Sequence, residues 1–184
     1  DATQMGRKVY VPLGFVDEYE VRRYESEKYM SEGLFHPMVS DEVYPISTEH
    51  MDALSHWDAE KFGVMRKKVL EHFQQRDPSL CYWVENNGQI RGYMMAHQGY
   101  EAYQIGPFVA EDEHVAEALF RQVLKQINGH KVFLDVPVPN ADGIRIMEKY
   151  RFTVQRSFTR MYLGDNAFKG QPKAIFATSG AELG

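Results

Sequence analysis

The chain has 184 residues, 43% of them hydrophobic, and a formal net charge of -5. That length buries one full core and leaves little for a second domain of ordinary size, and the acidic balance, with no basic cluster interleaved with aromatics, argues against a nucleic-acid partner. No apolar run approaches the roughly 20 residues that span a bilayer and no signal-peptide succession opens the chain, so the expectation is a cytoplasmic protein without a membrane partner.

In chain order, Arg7 to Leu13 predicts a helical turn or two ended by Gly14, and EYEVRRYE alternates as a strand. Periodicity disappears from Ser26 to Ile46 among Gly33, Pro37 and Pro45, which reads as a linker. After Ser47-Thr48-Glu49, Met51, Leu54, Trp57 and Phe62 fall at helical spacing, and a second helix carries Val64, Val69, Leu70 and Phe73 to Asp77-Pro78. Leu80 to Val84 and Gln89 to Ala96 flank Asn87-Gly88, a hairpin signature, and Tyr100 to Val109 is a third strand. The single cysteine, Cys81, sits in the first of these strands, where it reads as a buried, inert thiol with no disulfide or CxxC partner.

An amphipathic helix follows from Glu113 to Asn128, with Val115, Leu119, Val123, Leu124 and Ile127 on one face. KVFLDVPV can then pair parallel to the third strand through a right-handed crossover. A short helix, Asp142 to Lys149, a strand, Thr153 to Gly164, and a last strand near Lys173 to Thr178 complete the order.

That order, with YQIGPFVAEDEHVAEALFRQVL and VFLDVPVPN followed by IRIMEKYRF, resembles the GNAT superfamily of N-acetyltransferases. The resemblance implies an α/β fold, a mixed and mostly antiparallel sheet flanked by helices. DxxxFGxxR (Asp58, Phe62, Gly63, Arg66), IGPFVAED, LDVPxxN and FTRMYxG together resemble the C-terminal domain of two-domain GNAT proteins, across Met51 to Gly184. The opening DATQMGRKVYVPLGF resembles the last helix and Gly-Phe strand entry of a different GNAT domain, the N-terminal one of such a pair. The expected division is therefore 1–27 as the tail of a preceding GNAT domain, 28–46 as linker and 47–184 as the C-terminal GNAT-like domain.

What the resemblance implies chemically is acetyl transfer from acetyl-CoA, a co-substrate, to a small-molecule or peptide amine. Such transfer needs a neutral amine, a base, donors for the tetrahedral oxyanion and an acid for the departing thiolate. By resemblance, acyl-CoA lies along Gly106, Phe108 and Val109, its pyrophosphate meets the helix start at His114 and Val115, and Asn140 meets the pantetheine arm or, equally, caps its own helix. Tyr10 matches the family's thiolate acid on the N-terminal tail. In the second copy of that pattern Met147 stands at the tyrosine position and Arg151 at the glycine position, leaving Tyr150, three residues on, as the substitute acid or as a packed tyrosine. Glu101, Asp135 and His97 are the base candidates, each against a bland reading as a solvated or hydrogen-bonded residue.

The family's Gly-rich phosphate loop is replaced by AEDEHVAE, where Glu111, Asp112 and Glu113 put negative charge at the phosphate position or, blandly, cap the helix. The seven histidines show no ligand spacing and there is no HExxH, so no metal is expected. Two functions thus stand: an N-acetyltransferase domain using the cleft where Gly106–Val109 meets Leu134–Val136, and a non-catalytic GNAT-like module that binds a ligand or completes a neighbour's cleft. A homodimer formed through the N-terminal segment is a third reading.

Overall fold

The structure, a computed structural model, describes residues 1–29 and 43–180. Most of the stretch expected as linker therefore lies outside the described residues. The chain opens with α1 (Gln4–Tyr10), capped by the Thr3 hydroxyl on the Gly6 amide at 3.1 Å. A 3-10 turn, Val11–Leu13, ends at Gly14, whose φ of 91° is costly for any residue with a Cβ. From there β1 (Phe15–Ser26) enters one large sheet as its second strand from one edge.

The remaining elements are β2 (Val43–Pro45), α2 (Met51–Phe62), α3 (Lys67–Arg76), β3 (Cys81–Asn86), β4 (Gln89–Gln98), β5 (Tyr103–Ala110), α4 (Glu113–Gln126), β6 (Val132–Pro137), α5 (Ala141–Lys149), β7 (Thr153–Leu163) and β8 (Ile175–Ala177). The strand order is β2-β3-β4-β5-β6-β1-β7, with β8 added to β5. Every pair is antiparallel except β5 with β6, the crossover pair joined by α4.

Two differences from the sequence reading stand out. Val43–Pro45, expected as linker, is a strand on the sheet edge beside β3, a position where proline's missing N–H is tolerated. The segment with the resemblance to a preceding domain's tail supplies the strand between β6 and β7, with Val21 and Tyr24 buried there.

One core lies under α4 and α5 and includes Met94, Phe108, Leu119, Phe120, Leu134 and Met147. The other lies under α2 and α3 and includes Leu54, Leu70, Phe73, Tyr93 and Met95. Met94 and Met95, adjacent on β4, fall on opposite faces as strand geometry dictates. The hairpin turns through Asn87 and Gly88, both at positive φ.

Candidate active site

The chemistry expected from the sequence centres on the place where β5 and β6 part. Their parallel register runs only from Tyr103↔Val132 to Ile105↔Leu134. Beyond it, β5 is displaced by an irregularity at Gly106-Pro107, a cis peptide opposite Met95, and a wedge opens between the two strands. A ligand could enter such a wedge and use the exposed edge of β5.

This chain fills the wedge itself. β8 pairs with β5 through Phe108↔Ala177 and Val109↔Ile175, so the Phe108–Val109 backbone expected to line acyl-CoA is engaged in a ladder. On the β6 side the Thr178 amide donates to the Asp135 carbonyl at 2.9 Å. From α5, Asn140 Nδ2 donates to the Ile175 carbonyl at 2.9 Å while its Oδ1 accepts from the Gly143 amide at 2.9 Å. Asn140 is thus both the helix cap and a clamp on β8. Gly106, at φ 145°, is where a Cβ would overlap the Thr178 carbonyl oxygen, so the missing side chain makes room for the chain's own backbone.

The energetic barrier to displacing β8 is substantial. Ile175 and Phe176 are almost fully buried, and each contributes about 1.5–3 kcal/mol, or roughly 3–6 kcal/mol together. A ligand with intrinsic micromolar affinity, about 8 kcal/mol, would retain roughly 2–5 kcal/mol after ejecting them, which is a Kd of about 0.2 mM or weaker.

The segment leaving β8 is fastened by the DxxxFGxxR motif. Arg66 forms a bidentate pair with Asp58 at 2.8 and 2.9 Å, and its Nη1 donates to Ser179 Oγ at 3.1 Å. Tyr93 donates to Asp58 at 2.6 Å, and the Arg66 guanidinium lies 3.6 Å from the Phe62 ring centre. Burial and the Asp58 carboxylate push the Tyr93 phenol well above its ordinary range.

The phosphate end of the expected site is also taken. Asp112 caps α4 by accepting from the Val115 amide at 2.9 Å, so the helix's own carboxylate sits where an anion would bind. Arg91 pairs with Asp112 at 2.6 Å and Glu111 at 3.2 Å, and Arg145 bridges Glu113 and Asp142. His114 is exposed beside this network and Val115 is buried.

The expected acids and base are dispersed. Asp135 is fully buried and held by Arg23 of β1 through two bonds of 2.7 Å, with Arg23 also 5.4 Å from the Phe133 and Phe158 rings. Tyr150 is buried against Phe120 and donates to Glu117 at 2.8 Å; burial, then this bond, raise its pKa strongly. Burial alone would raise Glu117, but its hydrogen bonds to Lys149 and Tyr150 bring it below the ordinary carboxylate range. Tyr10 is partly exposed, 5.3 Å from the Phe15 ring, in an open cavity of about 660 Å³ shared with Phe158 and Met161. Glu101 is exposed, and His97 is buried at the end of β4. Burial pushes the Cys81 thiol up to about 12. Among the described residues no group of three or more His, Cys, Asp or Glu is placed to hold a metal, and no helix is long and apolar enough to cross a membrane.

The partners Arg23, Glu117 and Ser179 escaped the sequence reading. Asp135 within LDV was a visible signal for Arg23 alone, since a carboxylate in an apolar strand requires a buried donor.

A family model for the acetyltransferase (GNAT) domain matches residues 54–177. The chain belongs to the GNAT acetyltransferase family. It is 25% identical over 178 residues to holothin acyltransferase from Pseudoalteromonas sp. (strain SANK 73390), covering 95% of this chain and 58% of that protein. A putative acetyltransferase from Pyrococcus horikoshii superposes with a TM-score of 0.78 at 23% identity, over all of this chain and 58% of that one. A GCN5-related N-acetyltransferase from Sphaerobacter thermophilus gives a TM-score of 0.60 at 11% identity, covering 86% and 56% of the two chains. The GNAT chain thus spans somewhat over half the length of these relatives. The residues around its β5/β6 wedge do not fit an acyl-CoA, because β8 takes the edge of β5, Asn140 clamps β8 and the Asp112 carboxylate takes the Val115 amide at the helix start.

Proposed function

We propose that this chain is the part of a GNAT N-acyltransferase that completes the enzyme without itself holding acyl-CoA. The observation that carries this reading is β8, seated in the β5/β6 wedge and fastened by Asn140, the Asp135 carbonyl and Arg66. The relative named as an acyltransferase supports acyl transfer as the chemistry of the larger protein. Acetyl-CoA as donor and a small-molecule or peptide amine as acceptor follow from the family.

In this reading α1 serves a second GNAT domain, and β1 anchors that domain's end to the sheet described above. Tyr10, partly exposed on α1, keeps a hydroxyl able to protonate a thiolate held by the neighbouring domain. Tyr150 cannot take that role while its hydroxyl is given to Glu117 under α4. Its phenol is structural.

Steady-state acetylation by the full-length protein separates the two tyrosines. Tyr10→Phe is expected to lower kcat by about 10²-fold or more, in the range of a lost general acid, while Tyr150→Phe changes stability and leaves kcat near wild type. Loss of kcat in Tyr150→Phe with retained folding, and none in Tyr10→Phe, would place the chemistry in this domain and overturn the proposal.

A further inference from the structure

A cavity of about 550 Å³ lies between the end of α3, the β4–β5 turn, Phe133 of β6 and the Ser179-Gly180 segment that follows β8. Its lining includes the register partners Gln104 and Phe133. Phe73 closes one side, and the fully exposed Tyr100 stands at the rim. Ser179 and Gly180 line it, whereas β8 itself and the acidic helix-start residues do not.

The polar groups at this cavity favour an anion. Arg23 and Arg76 both line it, and Glu101 is the single carboxylate that does. Arg23 is neutralised by Asp135. Arg76 gives one hydrogen bond, from Nη2 to the Gln98 carbonyl at 3.0 Å, which fixes the guanidinium while leaving further donors of its fork for a ligand. His97, more than nine-tenths buried, packs 5.2 Å from the Phe73 ring and has no partner at Nδ1. His72 lines the same wall. Such a wall offers N–H donors beside aromatic carbon.

We propose that this cavity binds a small carboxylate carrying an aromatic or apolar body, its carboxylate on Arg76 and His97 and its body between Phe73 and Phe133. Two features select this class over a bare inorganic anion. Phe73, Phe133 and Ala102 supply aromatic and aliphatic surface beside the Arg76 and His97 donors, and the volume suits a ligand of more than a few atoms. Burial, with help from the Arg76 charge and against the opposing pull of Asp77, lowers His97 to about 4, so the ring is neutral at pH 7 and donates a single N–H. A carboxylate beside it would favour the protonated ring and raise that value.

The test is an NMR titration of the chain with benzoate, using benzamide as the neutral counterpart and following the His97 imidazole and the Phe73 and Phe133 side chains. Benzoate is expected to produce saturable shifts and an upward move of the His97 pKa, with benzamide producing neither. Arg76→Gln should weaken benzoate by about tenfold or more, the loss of a charge-assisted hydrogen bond. His97→Gln, which keeps an N–H donor, should weaken it less. Equal responses to benzoate and benzamide, or unchanged benzoate affinity in a folded Arg76→Gln variant, would overturn the proposal. The outcome is distinguishable from the acyl-CoA reading, because benzoate and benzamide carry no CoA and neither Arg76 nor Phe73 belongs to the wedge.

Discussion

Replacing Asp135 with asparagine tests whether this carboxylate is a structural counter-ion or a base awaiting a substrate. Asp135 is fully buried on β6, and Arg23, its bidentate partner, comes from β1, 112 residues earlier in the chain. Asparagine keeps the shape but removes the negative charge that Arg23 pairs with beside the Phe133 and Phe158 rings. Breaking one partner of a buried pair costs about 3–5 kcal/mol, against a typical total of about 5–15 kcal/mol. With a urea slope of about 2 kcal/mol per molar, the midpoint should fall by roughly 2 M. The double variant Arg23→Met/Asp135→Asn removes the guanidinium charge as well and should recover part of the loss, so that the two changes are strongly non-additive. Equilibrium urea unfolding of the wild type, both single variants and the double variant supplies the cycle. A cost below about 1 kcal/mol for Asp135→Asn, or simple additivity, would refute the argument that β1 is locked into this sheet through a buried ion pair.

Asn140→Ala should lose both the α5 cap and the donor to Ile175, costing about 2–3 kcal/mol, whereas Asn140→Asp keeps the cap and loses only the clamp. Hydrogen exchange at Ile175–Ala177 should accelerate in both, and unchanged exchange in either would contradict the clamp. Native His97 resists protonation until about pH 4, whereas the unfolded ring takes up a proton near 6.5. Stability should therefore fall as pH drops from about 6.5 towards 4, by no more than about 3 kcal/mol from this group. His97→Gln should flatten that part of the urea-midpoint profile, and a profile unchanged by the substitution would exclude His97 as its source.

The elements that sequence discloses here are those with a local signature. Asn87-Gly88 marks its hairpin through the backbone angles those residues tolerate, and the stripe from Val115 to Ile127 marks α4 because helical spacing brings it to one face. The parallel pairing of β6 with β5 follows from the crossover helix between them. The seat of β1 between β6 and β7 is different in kind: two arginines in EYEVRRYE look like solvent-facing positions until Asp135 and the Phe133 and Phe158 rings are known to lie beside Arg23. β8 has three residues, too few for any periodicity, and nothing local says that its hydrogen bonds fall in a wedge 70 residues upstream. The acidic run at Glu111–Glu113 carried a legible conflict with phosphate binding. Its resolution through Arg91 and Arg145 required the fold.

The central claim is that the wedge between β5 and β6 is closed by β8 and unavailable to acyl-CoA. Isothermal titration of the chain with acetyl-CoA and with CoA, paired with hydrogen exchange at Gly106–Val109 and Ile175–Ala177, tests it most directly. The account predicts no saturable binding tighter than about 0.2 mM and no change in exchange at either segment. A micromolar complex accompanied by release of Ile175–Ala177 and new protection at Gly106–Val109 would contradict it.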